Sequence, residues 1–202
     1  MIEINCHSSI KISKGKTIYI DPFKIDKELH DADIILITHD HYDHYSPEDI
    51  EKVARNETII VAPKTVKALS KMKNTVLVES NQTYEVDGIK IETIASYNIN
   101  KQFHPKENEW VGYVIEIEGT RYYIAGDTDI TPENKQVKCD VALVPVGGTY
   151  TMTYKEAAEL VNTIKPAKAI PTHYGSIVGE KDDGEKFKKL LPPEIECMII
   201  IK

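Results

Sequence analysis

Ile34-Ile35-Leu36-Ile37-Thr38-His39-Asp40-His41-Tyr42-Asp43-His44 runs from an unbroken apolar stretch into three imidazoles and two carboxylates within six residues. The stretch up to Thr38 has the pattern of a strand covered on both faces, because a half-exposed strand alternates apolar and polar positions. Crowding titratable groups at the end of such a strand costs desolvation and, if they protonate, repulsion. A divalent cation removes both costs, since neutral imidazole and carboxylate are its preferred ligands. His39 and His41 fall on one side of an extended segment, while the adjacent Asp43 and His44 point apart, as a pair of neighbouring cations requires. This stretch predicts a metal centre at a strand end.

Working outward, strands are expected over Ile2–Asn5, Ile10–Ser13, Thr17–Ile20 and Asp33–Thr38. Ser46-Pro47-Glu48-Asp49 predicts a helix start with Ser46 as N-cap and Pro47 at the first helical position. A strand over Thr58–Ala62, a helix over Pro63–Met72 and a strand over Thr75–Val78 follow. Asp87-Gly88 between extended runs is a hairpin signal. A second hairpin joins Val111–Ile117 to Arg121–Ala125 around Glu118-Gly119, and Val141–Val144 is a further strand. Thr153-Tyr154-Lys155-Glu156 is a capping box that opens a helix running to Ile164 and stopping before Pro166. Ala167–Ile170 predicts a strand, Asp183–Leu191 a helix and Glu196–Ile201 a closing strand. In both halves hairpin-linked strands come first and strands alternating with helices follow. That rhythm predicts an α/β protein of two sheets packed face to face with helices outside.

The 202 residues are about one domain's worth of chain, with no Ser/Gly-rich linker to divide 1–202. Hydrophobic content of 41% with 28% charged residues excludes global disorder. Apolar runs stop at four residues, too short for a membrane span, and the acidic N-terminus Met1-Ile2-Glu3 shows no secretory signal. Three scattered cysteines, Cys6, Cys139 and Cys197, argue against a disulfide framework and for a reducing, cytoplasmic setting. Net charge is −7, with only Arg55 and Arg121 as arginines, so the basic footprint of a nucleic-acid binder is missing.

His-x-His-x-Asp-His after a buried strand resembles the signature of the metallo-β-lactamase superfamily, and the resemblance covers most of the chain. It implies a four-layer αββα sandwich with metals at one edge between the sheets. Ile20-Asp21-Pro22-Phe23 is similar to the Asp-Pro segment that precedes the histidine motif in small members. Ala125-Gly126-Asp127-Thr128 is similar to the loop whose aspartate bridges two metals, which assigns that role to Asp127. Pro171-Thr172-His173-Tyr174-Gly175 matches the loop that supplies the last histidine ligand, His173. Gly147-Gly148-Thr149-Tyr150-Thr151-Met152 is similar to pocket-lining loops in the branch that includes L-ascorbate-6-phosphate lactonase, so Thr149 and Tyr150 are expected at the substrate. His7 ends the first strand, where small relatives often carry a histidine, and is expected to face the pocket or support a ligand; His30, in a polar stretch, is expected to be exposed.

The resemblance implies two divalent cations sharing a bridging hydroxide, with His39 and His41 on the first and Asp43, His44 and His173 on the second. Zinc is the first expectation, with manganese, iron or nickel accepted by the same ligand types. Asp43 is expected to be the catalytic carboxylate that orients the nucleophile or takes its proton. The reaction expected is hydrolysis of a small-molecule ester, lactone or phosphodiester. The rivals are a superfamily nuclease, an iron-dependent oxygenase and a metal-binding protein without turnover. One departure stands out. The family places a histidine at the end of the strand corresponding to Ile89–Ile94, where this chain has Ala95-Ser96-Tyr97-Asn98. His104, in a loop of about fifteen residues over Ala95–Glu109, is expected to supply that imidazole. The alternatives are Asn98 coordinating through its side-chain oxygen, or water in that position.

Overall fold

The computed structural model of the chain describes residues 1–71 and 73–201. Its first sheet runs in chain order through β1 (Ile2–Cys6), β2 (Ser9–Lys14), β3 (Lys16–Ile20), β4 (Ile34–Leu36), β5 (Ile59–Pro63) and β6 (Thr75–Val78), with helix α1 (Pro47–Val53) between β4 and β5. The second sheet also follows chain order, through β7 (Thr83–Val86), β8 (Ile89–Ala95), β9 (Val111–Ile117), β10 (Thr120–Ile124), β11 (Val141–Pro145), β12 (Lys168–Thr172) and β13 (Glu196–Cys197). Helix α2 (Tyr154–Ile164) connects β11 to β12, and α3 (Asp183–Lys188) connects β12 to β13. Pairing is antiparallel from β1 to β3 and parallel from β3 to β6. The second sheet repeats this change, antiparallel from β7 to β10 and parallel from β10 to β13.

The two-residue period of a strand explains the layers. Ile34 and Leu36 point inward to a core shared with Tyr113, Val141 and Leu143 of the other sheet. Ile35 and Ile37 point outward against Ile50 and Val53 of α1. Across the sandwich, Ala142 and Val144 face outward onto Leu160 and Val161 of α2 and Phe187 of α3. Each of these large aliphatic side chains contributes about 1.5–3 kcal/mol by leaving water. The result is helix, sheet, sheet, helix.

Local signals act where they were read. Ser46 caps α1 by accepting from Asp49 N, and Pro47 occupies its first turn. Thr153 and Glu156 form the reciprocal capping box of α2, which ends in a left-handed Lys165 just before Pro166. Three stretches differ from expectation. Instead of a helix over 63–72, Pro63 ends β5 and only a 3₁₀ turn forms over Lys67–Lys71; Met72 lies outside the described residues. Val66 and Leu69 are both fully buried at a spacing of three, which suits a 3₁₀ turn on a short crossover. The closing strand over 196–201 is only Glu196–Cys197, and Ile201 crosses to pair with Ile4 at the edge of the first sheet. The Ala95–Glu109 loop contains a 3₁₀ turn over Lys106–Asn108.

One edge of the sandwich collects the strand ends that matter, as carboxyl ends of strands do in sheets that bind ligands. Beside it Val111 N donates to Thr38 O at 3.2 Å, His173 N donates to His7 O at 3.0 Å, and the buried Tyr113 hydroxyl donates to Ile37 O at 2.6 Å. Each of these bonds ties one sheet to the other next to the histidine stretch.

Candidate metal centre

His7 follows β1, Asp21 follows β3, His39 follows β4, Asp127 follows β10 and His173 follows β12. Sharp turns aim several of these side chains. His7 (φ 57°), Asp21 (φ 46°) and His173 (φ 58°) all occupy the left-handed region, which costs a non-glycine residue roughly 1 kcal/mol or more. Three such outliers at one edge mark a place where geometry is held against local preference. Gly126 (φ 63°) lets Asp127 approach, since a Cβ there would meet Thr38 Cβ at 3.2 Å and Val111 O at 3.3 Å.

The structure brings the histidine stretch and the distant segments together. One nitrogen from each of His39, His41 and His104 lies within 4.8 Å of the others. The same holds for ligand atoms of His7, Asp43, His44 and His173, and for those of His39, His44 and Asp127. Asp127 stands between the groups. Its Oδ2 is 3.3 Å from His104 Nε2 and 2.9 Å from His173 Nε2, and its Oδ1 is 3.3 Å from His44 Nε2. Asp43 Oδ2 is 3.1 Å from His7 Nε2 and 3.8 Å from His44 Nε2.

For His44, His39 and His104, hydrogen bonds on the far side of the ring set the tautomer. His44 Nδ1 donates to Asp21 Oδ2 at 2.7 Å, which turns the Nε2 lone pair inward. Asp21 also accepts from Thr38 N at 2.8 Å and from the Thr38 hydroxyl at 2.7 Å. With its proton so engaged, that hydroxyl accepts from His39 Nδ1 at 2.9 Å and leaves His39 Nε2 free to bind. His104 Nδ1 donates to Asn98 Oδ1 at 3.1 Å, which frees its Nε2 in the same way.

What faces inward is unsatisfied. His44 Nε2, His104 Nε2, His173 Nε2 and Asp127 Oδ1 are buried and have no hydrogen-bond partner. Buried lone pairs that converge without donors are costly unless a cation receives them. His39 Nε2 and His41 Nδ1 are 3.1 Å apart, close to the roughly 3.3 Å between two nitrogens about 2.0–2.1 Å from a tetrahedral ion. The donor set, imidazole with carboxylate, fits a divalent cation.

The charges agree. Burial opposes a positive His44, yet Asp127 and Asp21 outweigh it and hold its pKa well above the ordinary histidine value. Burial, helped by His44, keeps His39 well below that value. Burial and the neighbouring His104 lower His41. Burial alone would raise Asp127, but His173 and His44 bring it well below the usual carboxylate range. Asp43 is likewise lowered, as the bond from His7 and the field of His44 overcome its burial. Asp127 and Asp43 held ionised beside His39 and His41 held neutral are the state a cation selects, whereas His44, which Asp127 and Asp21 keep protonated, would give up a proton to bind one.

The other candidates divide. Asn98 Oδ1 accepts from both the His104 backbone N and ring Nδ1, so it positions that ring and has no lone pair left for an ion. Its Nδ2 donates to Tyr150 O at 2.9 Å. Tyr150 lines a cavity of about 240 Å³ over the cluster, with His41, Tyr42, Asp43, Phe103, His104, Asp127 and Ile177. Thr149 is exposed and does not line it, and His30 is exposed. His7 is fully buried, with its ring 3.7 Å from that of His173. A larger hollow of about 900 Å³ beside Cys139 and Leu191 brings no such chemistry together. Three roles escaped the sequence reading: Asp21 and Thr38 as the supports of His44 and His39, and Trp110 as a wall, its ring 4.8–5.5 Å from those of His41, His39 and His104. Asp21 ends a buried strand just before a proline, a signal for its position though not for its contacts.

Comparison with known proteins agrees with this geometry. Residues 2–173 match the model of the β-lactamase superfamily domain. A protein of Thermococcus onnurineus named as a metal-dependent hydrolase is 34% identical over 96% of this chain and 93% of its own length. A crystal structure from Parabacteroides distasonis, described as that of a candidate metal-dependent hydrolase, superposes with a TM-score of 0.84 at 32% identity, covering 98% of this chain and 91% of the other. One from Thermotoga maritima, described as a candidate zinc-dependent hydrolase of the metallo-β-lactamase superfamily, gives 0.67 at 25% identity over 99% and 97% of the two chains. Sequence match, sandwich and histidine–aspartate cluster converge: the chain belongs to the metallo-β-lactamase superfamily, among its metal-dependent hydrolases.

Proposed function

We propose that the edge cluster holds two divalent cations, zinc before manganese, iron or nickel, and that the chain hydrolyses a small-molecule ester, lactone or phosphodiester there. The observation that carries this is Asp127, whose carboxylate lies within 3.3 Å of imidazoles from both groups, Oδ2 beside His104 and His173 and Oδ1 beside His44. On this reading His39, His41 and His104 hold one ion, Asp43, His44 and His173 hold the other, and Asp127 belongs to both. His7 then acts through Asp43, with which it shares a 3.1 Å contact. When bound, the ions supply a water acidified towards neutral pH and a Lewis acid for the substrate's oxygen.

The chain's own groups do the rest. Asp43 lines the cavity, stays ionised and can take a proton from the attacking water. The bond from His7 Nε2 fixes which way its carboxylate faces. Asp21, Thr38 and Asn98 hold imidazoles in one orientation each, so little reorganisation is needed when substrate arrives. Trp110, 7% exposed, and the buried strand ends exclude bulk water from the inner side. The acidic balance and the absence of any lysine or arginine among the described residues that line the cavity favour a small molecule over nucleic acid. We read residues 1–202 as one domain acting in the cytoplasm, where the cysteines stay reduced. No helix among the described residues is long and apolar enough to cross a membrane. The test is metal analysis of protein purified without added metal, followed by an ester, lactone and phosphodiester screen; metal-free protein with undiminished turnover would defeat the proposal.

A further inference from the structure

Two of the three imidazoles assigned to the first ion come from one short turn, and the third does not. His39 and His41 stand two residues apart after β4, whereas His104 arrives on the long loop between β8 and β9. Asp127 lies on a third segment, after β10, with its Oδ2 3.3 Å from His104 Nε2. The first triad therefore closes only when the His104 loop docks against the segment that carries Asp127.

Asp129, two residues beyond Asp127, makes that contact. Its backbone N donates to Tyr97 O at 2.9 Å, its Oδ2 accepts from Ile99 N at 2.9 Å, and its Oδ1 pairs with Lys101 Nζ. On its own segment it is anchored by the buried Asn134, whose Nδ2 donates to Asp129 O at 2.8 Å. The Asp129 side chain is 9% exposed and that of Lys101 23%, so solvent and salt screen this pair less than a surface one. A second pair between the same segments, Lys106 Nζ with Glu133 Oε1 at 2.9 Å, is 58% and 22% exposed and holds more weakly. Among the described residues Asp129 belongs to none of the groups of ligand atoms that converge on an ion, and both of its carboxylate oxygens are given to the His104 loop.

Loss of the Lys101 cation would leave that carboxylate buried without its counter-charge, a cost the loop relieves by moving out towards water. Asp127 would stay in place, because the Ser96 hydroxyl donates to Asp127 O at 2.9 Å and Gly126 packs closely on Thr38. Ligands of the second ion have separate supports: His44 is held by Asp21, and His173 N donates to His7 O at 3.0 Å.

Resting on the two-ion reading above, we propose that Asp129, paired with Lys101, is a positioning residue for the first ion: it docks the His104 loop and so sets the affinity of that triad, leaving the second ion's ligands undisturbed.

The test is a zinc titration of metal-free protein, followed by calorimetry and by fluorescence. Trp110, the only tryptophan, has its ring 4.8–5.5 Å from those of His39, His41 and His104, so its emission identifies the transition that belongs to the first triad. Lys101→Met and, independently, Asp129→Asn should weaken that transition about tenfold, the lower end of the range for partners of metal ligands. The other transition should stay within about twofold of the parent. Lys101→Arg, which keeps the pair, should restore most of the first affinity. First-triad affinities within about twofold of the parent in both variants would overturn the proposal and leave the two-ion reading standing. Equal weakening of both transitions, or loss of folding in both variants, would make the pair a general brace of the fold and overturn the proposal as well. A parent protein that binds no zinc would overturn both.

Discussion

Replacing Asn98 by alanine removes three hydrogen bonds and leaves every inward-facing ligand atom in the chain. Asn98 Oδ1 accepts from His104 N at 3.0 Å and from His104 Nδ1 at 3.1 Å, and Asn98 Nδ2 donates to Tyr150 O at 2.9 Å. Asn98 N in turn donates to His104 O at 2.7 Å, so the side chain and backbone together close the loop on itself. At about 1 kcal/mol net per bond, the two that hold His104 contribute about 2 kcal/mol to its placement. If the ring must be ordered again by the ion, that converts to about thirty-fold in affinity at the first triad. The figure sits inside the roughly 10–100-fold range for partners of metal ligands. Trp110 is the only tryptophan and its ring is 5.5 Å from that of His104, so its fluorescence follows a zinc titration of metal-free protein. Asn98→Ala should weaken one of the two binding transitions by that factor, and Asn98→Asp, which keeps the acceptor, should recover most of it. Affinities for Asn98→Ala within about twofold of the parent would refute the claim that this amide holds the third imidazole.

Asp43→Asn preserves shape and an acceptor for His7, but an amide binds cations weakly and takes no proton; most hydrolytic activity should vanish while the circular dichroism spectrum stays unchanged, and parental turnover would remove Asp43 from the mechanism. Chelation should lower the melting temperature, because ions joining His39 to His173 stabilise only the folded chain, by about 2.7 kcal/mol at a hundred times the dissociation constant; an unchanged melting temperature with metal loss confirmed would count against that linkage. Glu92 receives both Arg121 Nη1 and Nη2 at 3.0 Å, and this pairing holds its pKa down to about 2, below the ordinary 4.5. Its stabilisation, of the order of 1 kcal/mol for a partly exposed pair, is therefore full above pH 4.5 and lost as pH falls towards 2. Urea denaturation of Glu92→Gln should show a deficit at pH 6 that shrinks between pH 4.5 and 2; a deficit that grew in acid would contradict the assignment.

The parts of the fold written in short-range chemistry were the legible ones. Thr153 with Glu156, Ser46 with Pro47, and Asp87-Gly88 act within a few residues, so sequence spacing alone places the elements they start or join. The buried run Ile34–Ile37 announced a covered strand because both of its faces meet apolar layers. Where the crossover after β5 had to be short, Val66 and Leu69 chose a 3₁₀ spacing over a longer helix, a tertiary demand that propensity does not record. At the site, His39-Asp40-His41-Tyr42-Asp43-His44 was readable because its residue types have no packing rationale. The supports were not readable. Asp21 reaches His44 across 23 residues and Asn98 reaches His104 across six, contacts that follow no helical or strand period. Trp110 gave no sign at all, since an isolated aromatic at the start of a strand looks like any core residue.

The most direct test of the account is metal counted per chain in the parent protein and in His104→Ala, each reconstituted with zinc and freed of excess. The two-ion reading predicts about two equivalents in the parent and about one in the variant. Stoichiometry unchanged by the substitution, or a parent protein that retains no metal, would contradict it.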